Sequence, residues 1–174
     1  MILFFDTETT GLPQWVRPSD DPLQPHLVQL AMMLTQDDGA EIEHQNMIIR
    51  PDGWTIPDEV AAIHGITTER AMDEGVPVID AVAAYLGLIG QANLRVAHNE
   101  PFDRRIMRIA MLRTGTSRGF IEQIEARPSY DTCARAAHIV NLPPTDRMIR
   151  AGRMNPKQPK LTECIKHFFD EELD

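Results

Sequence analysis

Asp6 and Glu8 stand two residues apart in the run Asp6-Thr7-Glu8, directly after the apolar stretch Ile2–Phe5. In an extended strand residues i and i+2 share a face, so both acids project from one strand end. Carboxylates that close repel each other, and a divalent cation is the natural offset because hard cations take oxygen ligands. The alternative is a pair of solvent-facing acids, but the apolar run makes this strand central, where unpaired carboxylates are costly. A second polar cluster, His98-Asn99-Glu100-Pro101-Phe102-Asp103, follows the apolar Leu94–Ala97. Asp103 falls in the first turn of a helix, where a carboxylate gains from the helix dipole and can act as a cap or as a ligand.

These acids need elements to carry them. Met1–Asp6, His26–Thr35 and Ile42–Arg50 read as three consecutive strands, the last two joined by the turn-forming Asp37-Asp38-Gly39. Gln14–Pro25, with three prolines and no periodicity, reads as a surface loop. A helix is expected from Pro57 to Gly65, a short one around Thr67-Thr68-Glu69, and an amphipathic one over Val78–Ile89. Leu94–Ala97 is a short strand that hands over to a strong helix at Pro101–Arg113. Ser129–Ile139 reads as a strand end followed by a helix, Asn141–Pro159 as a long basic loop, and Leu161–Phe169 as a last helix. Strands followed by alternating helices and strands define an α/β domain with a mixed sheet. No repeat or domain boundary interrupts it, so residues 1–174 form a single domain.

Four segments, in order, give the chain a resemblance to a known family. Asp6-Thr7-Glu8-Thr9-Thr10-Gly11, Ile63-His64-Gly65-Ile66-Thr67, His98 to Asp103 and Tyr130-Asp131-Thr132 are similar to the motifs of the DEDDh-type 3′–5′ exonucleases, the DnaQ-like family. The resemblance spans about residues 2–169. It implies a ribonuclease-H-like fold, a mixed five-stranded sheet flanked by helices, and phosphodiester hydrolysis at 3′ ends with two Mg2+ or Mn2+ ions. It makes Asp6, Glu8 and Asp103 the catalytic carboxylates and metal ligands. Thr9, Gly11, Leu12, His64, Asn99 and Phe102 become substrate-binding residues that meet the terminal nucleotides by backbone donors, packing and stacking. His64, just before Gly65, can instead cap its helix. His98 reads as a structural, hydrogen-bonded residue, and Asp131 as a strand-end residue outside the ligand set. Glu100 stands where the family has a small or apolar residue, and reads as a surface acid or as one that disturbs the approach of substrate.

The family's third motif, a histidine with an aspartate five positions later, does not occur in these residues. His167 is followed five positions on by Glu172, and reads as packing. The expectation is therefore a single exonuclease domain without its C-terminal catalytic helix, so that residues 1–174 alone digest weakly or not at all. The expected substrate is the 3′ end of single-stranded DNA, in proofreading, repair or phage replication, with a DNA polymerase as a candidate partner. Two alternatives stay open: an RNA-trimming enzyme of the same family, and a non-catalytic module that binds nucleic acid or docks on a polymerase.

Composition bounds these readings. The chain has 174 residues, 43% hydrophobic and 25% charged, which are ordinary globular values. Its net charge of −9 argues against a protein that coats nucleic acid through a broad basic surface. The charge is uneven: residues 1–80 hold 15 acids and 3 bases, residues 81–174 hold 11 acids and 14 bases. Ten of the 17 bases fall in two acid-free stretches, Arg104–Arg118 and Arg147–Lys160, which read as solvated faces or as phosphate contacts. Cys133 and Cys164 are the two cysteines and read as reduced thiols of a cytoplasmic protein. No apolar run approaches the roughly 18 residues of a membrane span, so no membrane partner is expected.

Overall fold

Alternation sets the first strand. In the computed structural model, which describes residues 1–172, β1 (Ile2–Thr9) turns Leu3, Phe5, Thr7 and Thr9 inward and leaves Phe4, Asp6 and Glu8 on the opposite face. The last two positions of the expected domain, 173 and 174, lie outside the described residues. β2 (Leu27–Thr35) and β3 (Glu41–Ile48) follow as the expected meander. β4 (Leu94–Ala97) and β5 (Ser129–Asp131) complete a five-stranded sheet in the order β3-β2-β1-β4-β5. β1 is central, antiparallel to β2 and parallel to β4, and β5 is parallel to β4, so the sheet is mixed. The β1–β4 register ends at Phe4 against Val96, whereas β1 stays paired with β2 as far as Thr9. Asp6 and Glu8 thus stand beyond the end of the β4 pairing. They lie at the carboxyl end of the parallel strands, where open α/β sheets place their ligands.

Among the described residues, eight helices connect and cover the sheet: α1 (Asp58–His64), α2 (Thr68–Glu74), α3 (Val78–Gln91), α4 (Glu100–Arg113), α5 (Arg118–Glu125), α6 (Thr132–Val140), α7 (Asp146–Arg150) and α8 (Leu161–Phe169). α3 buries Ala81, Val82, Tyr85, Leu88 and Ile89, and the Tyr85 and Phe5 rings meet at 5.6 Å between centroids. α4 buries Asp103, Ile106, Met107, Ile109 and Ala110, joining the cluster formed by Leu3, Phe5, Leu30 and Leu34. At the end of α1, Gly65 takes φ 75°, a left-handed conformation that glycine adopts without a Cβ penalty. Among the described residues no helix is long and apolar enough to cross a membrane.

Three departures from the sequence reading have clear causes. β1 runs to Thr9 rather than stopping at Asp6, because Thr7 and Thr9 pair with Leu30 and Leu27, and β-branched residues suit a pleated surface. The Phe4, Asp6, Glu8 face of β1 is open, not buried, although the strand is central. α7 falls inside the stretch read as a long loop, and α5 in a stretch given no element: Ser117 and Thr145 accept hydrogen bonds from the backbone N–H of Phe120 and Met148 and cap these short helices.

Glu100 also needs correcting. It is 4% exposed, not a surface acid, and its Oε1 accepts from Arg95 Nε at 2.7 Å. Arg95, 1% exposed, donates its other guanidinium nitrogens to the carbonyls of Ile124 (2.8 Å) and Glu125 (2.9 Å). One buried arginine therefore ties β4 to the first residue of α4 and to the end of α5. Removing one partner of such a pair leaves an uncompensated buried charge, at a cost of about 3–5 kcal/mol. Arg95→Met should lower unfolding stability in urea by that amount, and Arg95→Met combined with Glu100→Leu should recover much of it. A single substitution as benign as the double would show that the pair does not hold α4 in place.

Candidate active site

The site is built from the end of β1 and the first turn of α4. Asp6 and Glu8 share one face, as the i, i+2 spacing requires. Asp103 is 2% exposed, and its Oδ1 accepts from both the backbone N–H of Thr7 (2.9 Å) and the Thr7 hydroxyl (2.7 Å). The middle residue of the Asp-Thr-Glu run thus receives the helix carboxylate, between two positions that carry carboxylates of their own. Thr7 is the functional residue the sequence reading passed over. Its signal was present: a buried hydroxyl-bearing residue between two outward acids needs an acceptor.

All three acids titrate above their ordinary range. Burial pushes Asp103 up from 3.8 to about 7; the Thr7 hydroxyl opposes this and the charge of Asp6 adds to it. Burial also raises Asp6, opposed by the charge of His98 and the Thr7 N–H, and it raises Glu8, with the charge of Asp6 adding. Asp6 is therefore in electrostatic contact with both other acids. Oxygen donors whose ionisation is resisted by burial and mutual repulsion fit a hard divalent cation, which would relieve both costs. Yet among the described residues no group of three or more His, Cys, Asp or Glu side chains comes together closely enough to hold a metal ion. The expected three-ligand set is present in type and neighbourhood but not gathered. The reason is physical: the carboxylates repel one another, and Thr7 already satisfies one oxygen of Asp103.

The residues expected to meet substrate divide into two groups. Thr9 is buried, and its hydroxyl both donates to the Gly11 carbonyl (2.7 Å) and accepts the Gly11 N–H (3.3 Å), closing a tight turn after β1. That turn presents Leu12, which is 82% exposed. His64 lies beside it. Burial lowers its pKa, while the Thr9 backbone favours the charged ring. His64 Nδ1 accepts the Ile66 N–H (3.1 Å), so the ring also caps the end of α1, and Nε2 is buried without a hydrogen-bond partner. Thr9, Gly11, Leu12 and His64 thus form one neighbourhood. On the other side, Phe102 is partly buried against the core. Asn99 takes a left-handed conformation (φ 74°) that asparagine tolerates, and donates its N–H to Asp131 Oδ1 at 3.0 Å, with its own side chain unused in capping.

Three further residues have structural work. Asp131 accepts from the N–H groups of Cys133 (3.0 Å) and Ala134 (3.2 Å), capping α6. His98 has both ring nitrogens engaged, Nδ1 with Thr132 Oγ1 (3.0 Å) and Nε2 with the Pro159 carbonyl (2.9 Å), which fastens the segment before α8 to the end of β4. His167 is exposed rather than packed inward: α8 buries only Cys164, and the imidazole meets Phe168 edge-on at 5.0 Å.

The family model RNase_T, exonuclease, matches residues 3–168, and the chain belongs to that exonuclease family. No curated protein matches the sequence. Among solved structures the chain resembles E. coli exonuclease I in complex with a dA16 oligonucleotide, with a TM-score of 0.72 and 20% identity over 99% of this chain and 37% of that one. It also resembles the complex of that protein with a dT13 oligonucleotide, with a TM-score of 0.65 and 21% identity over 84% of this chain and 32% of that one. The chain spans about a third of the length of these structures. At this identity the likeness establishes the fold, the ribonuclease-H-like mixed sheet expected from the motifs. Together, family and fold define an exonuclease domain built on a ribonuclease-H-like mixed sheet.

The raised carboxyls make stability depend on pH. A carboxyl whose pKa is higher folded than unfolded binds its proton more tightly in the native state, so stability falls as pH rises from about 4 to about 7. Burial of His26, whose pKa is lowered to about 4, works in the opposite sense over part of this range. Asp103→Asn, which keeps a carbonyl acceptor for Thr7, isolates the carboxyl: in chelator it should raise the melting temperature more near pH 8 than near pH 5. An equal effect at the two pH values would refute the burial of Asp103 as its dominant perturbation.

Proposed function

We propose that this chain is a metal-dependent exonuclease domain that removes nucleotides from 3′ ends of single-stranded nucleic acid, with DNA as the first substrate to test. The observation that carries this reading is the Asp103 carboxylate anchored on Thr7 beside the Asp6–Glu8 strand end, in a chain that belongs to an exonuclease family. Asp6, Glu8 and Asp103 would hold Mg2+ or Mn2+, two ions in this reading, which when bound supply an activated water and stabilise the leaving oxygen. The protein's own part is to orient. Thr7 fixes the rotamer of Asp103 from both backbone and hydroxyl. The Thr9–Gly11 turn holds Leu12 and His64 around a position for the terminal nucleotide. Phe102, at the start of α4, offers an aromatic edge to the last bases.

Within residues 1–172 one histidine beside this site has a free ring nitrogen, His64, and its Nε2 is buried rather than open to water. His98 has both nitrogens bonded, and His167 is exposed on α8. We therefore propose that residues 1–174 digest slowly by themselves. A second reading, a module that binds nucleic acid without cutting it, draws on the same feature and on the absence of a gathered ligand trio among the described residues.

Metal-dependent shortening of a 3′-labelled single-stranded DNA separates them. Slow, Mn2+-dependent loss of mononucleotides is expected, abolished by Asp6→Asn and Asp103→Asn. Binding without any shortening under prolonged incubation would favour the module, and full-rate digestion would overturn the proposal that these residues lack a base. Thr7→Val, which keeps the β-branched shape but removes the hydroxyl, should weaken Mn2+ binding by about 10–100-fold.

A further inference from the structure

Of the ten bases in the two acid-free stretches, four gather into one place in space. Arg104, Arg105 and Arg108 line a cleft of about 370 Å3 between α4 and the loop after β1, with Arg118 from the start of α5 and the exposed Trp15 ring opposite. Arg105 sits over the Trp15 ring at 5.9 Å. The acids that face these guanidiniums are few. Glu125 pairs with Arg108, and the exposed Asp20 pairs with Arg118. Glu100 reaches Arg104 at 3.7 Å only as the second contact of a carboxylate already neutralised by Arg95. Arg105 donates Nη2 to the Arg17 carbonyl while its Nε is buried without a partner, and burial with the neighbouring Arg108 charge lowers the Arg105 pKa. Other bases that adjoin these in sequence are spent on structure: Arg113 donates to the carbonyls of Gln24 and Pro25 at 2.6 Å.

Four guanidiniums beside a flat aromatic ring are the elements that bind single strands, cations for phosphates and a face for bases. The cleft adjoins the carboxylate site through both its walls. The loop that carries Trp15 begins at the Thr9–Gly11 turn and Leu12, and the helix that carries Arg104 and Arg105 begins with Phe102 and Asp103. We propose that this cleft is a phosphate-binding track for the single strand upstream of its 3′ terminus, with Trp15 as the stacking platform. The proposal rests on the reading of Asp6, Glu8 and Asp103 as the site of 3′-end hydrolysis. It adds where the body of the strand lies once its end is seated. It also explains how a chain of net charge −9 grips a polyanion: the positive charge is concentrated in one concavity instead of being spread over the surface.

The test compares two single-stranded DNA oligomers, about 12 and about 3 nucleotides long, by fluorescence anisotropy in chelator, where no hydrolysis occurs. Arg104→Gln with Arg118→Gln changes two exposed side chains and should leave the melting temperature unchanged. It should weaken the longer oligomer about 10-fold and reduce its salt slope by about 1.4, the loss expected for two single-strand phosphate contacts. The shorter oligomer should bind as before. Trp15→Ala should weaken the longer oligomer with no change in its salt slope. Unchanged affinity of the double variant for the longer oligomer overturns the track, as does equal weakening of both lengths, which would place the arginines at the terminus instead. If the wild-type protein does not bind the longer oligomer, the track fails, whereas the carboxylate site, which needs its metal, stands or falls by the metal-dependent shortening of the labelled strand.

Discussion

A carboxylate buried at the end of a β-strand is costly, and this protein holds one there with a single threonine. Asp103 gives one oxygen to both the backbone N–H and the hydroxyl of Thr7. These two bonds fix the distance between the first turn of α4 and the central strand. They do not remove the cost, since Asp103 still titrates near 7. Other features of the site follow from that arrangement. Thr7 points inward, so Asp6 and Glu8 point outward from the same strand end. The first turn of α4 must then be pinned from behind, which the buried Arg95–Glu100 pair accomplishes. The fold spends stability to keep three acids in one neighbourhood, a cost that proteins carry chiefly at functional sites.

The sheet explains why the neighbourhood sits where it does. β1 outruns its parallel partner β4 by several residues, and its acids stand in the gap left past Phe4 and Val96. Ala97 and Asp131 end β4 and β5 side by side at the same edge. Asp131 then caps α6 and receives the Asn99 N–H, while His98 ties the segment before α8 to the same corner. The open strand end is a consequence of strand lengths, and the polar residues around it are mostly there to end strands and start helices.

Much of this was legible in the amino-acid sequence because the signals were local. The i, i+2 acids lie on one face because alternation is a property of any strand, and the helix begun by Glu100-Pro101 carries Asp103 in its first turn because proline tolerates that position. The Thr7–Asp103 bond spans 96 positions and the Arg95–Glu125 bond spans 30, and no local pattern announces a partner that distant. Glu100 was misread although its partner Arg95 stands only five positions away, because nothing local marks an arginine inside a strand as buried and facing the next helix. α5 and α7 went unread because their hydrophobic spacing covers barely two turns, and their Ser and Thr caps alone look like turn residues.

What we propose for the site turns on Asp103, whose burial holds it partly protonated near pH 7 and which would give up that proton to a bound cation. Titrating Mn2+ into the protein near pH 7 by calorimetry, in two buffers of different ionisation enthalpy, counts the protons released per ion bound. With an Asp103 pKa of about 7, binding should release about half a proton, and Asp103→Asn should bind more weakly and release far less. Mn2+ binding of equal strength with no proton release in either protein would contradict the account, because Asp103 would then be neither a ligand nor a group that the ion must discharge.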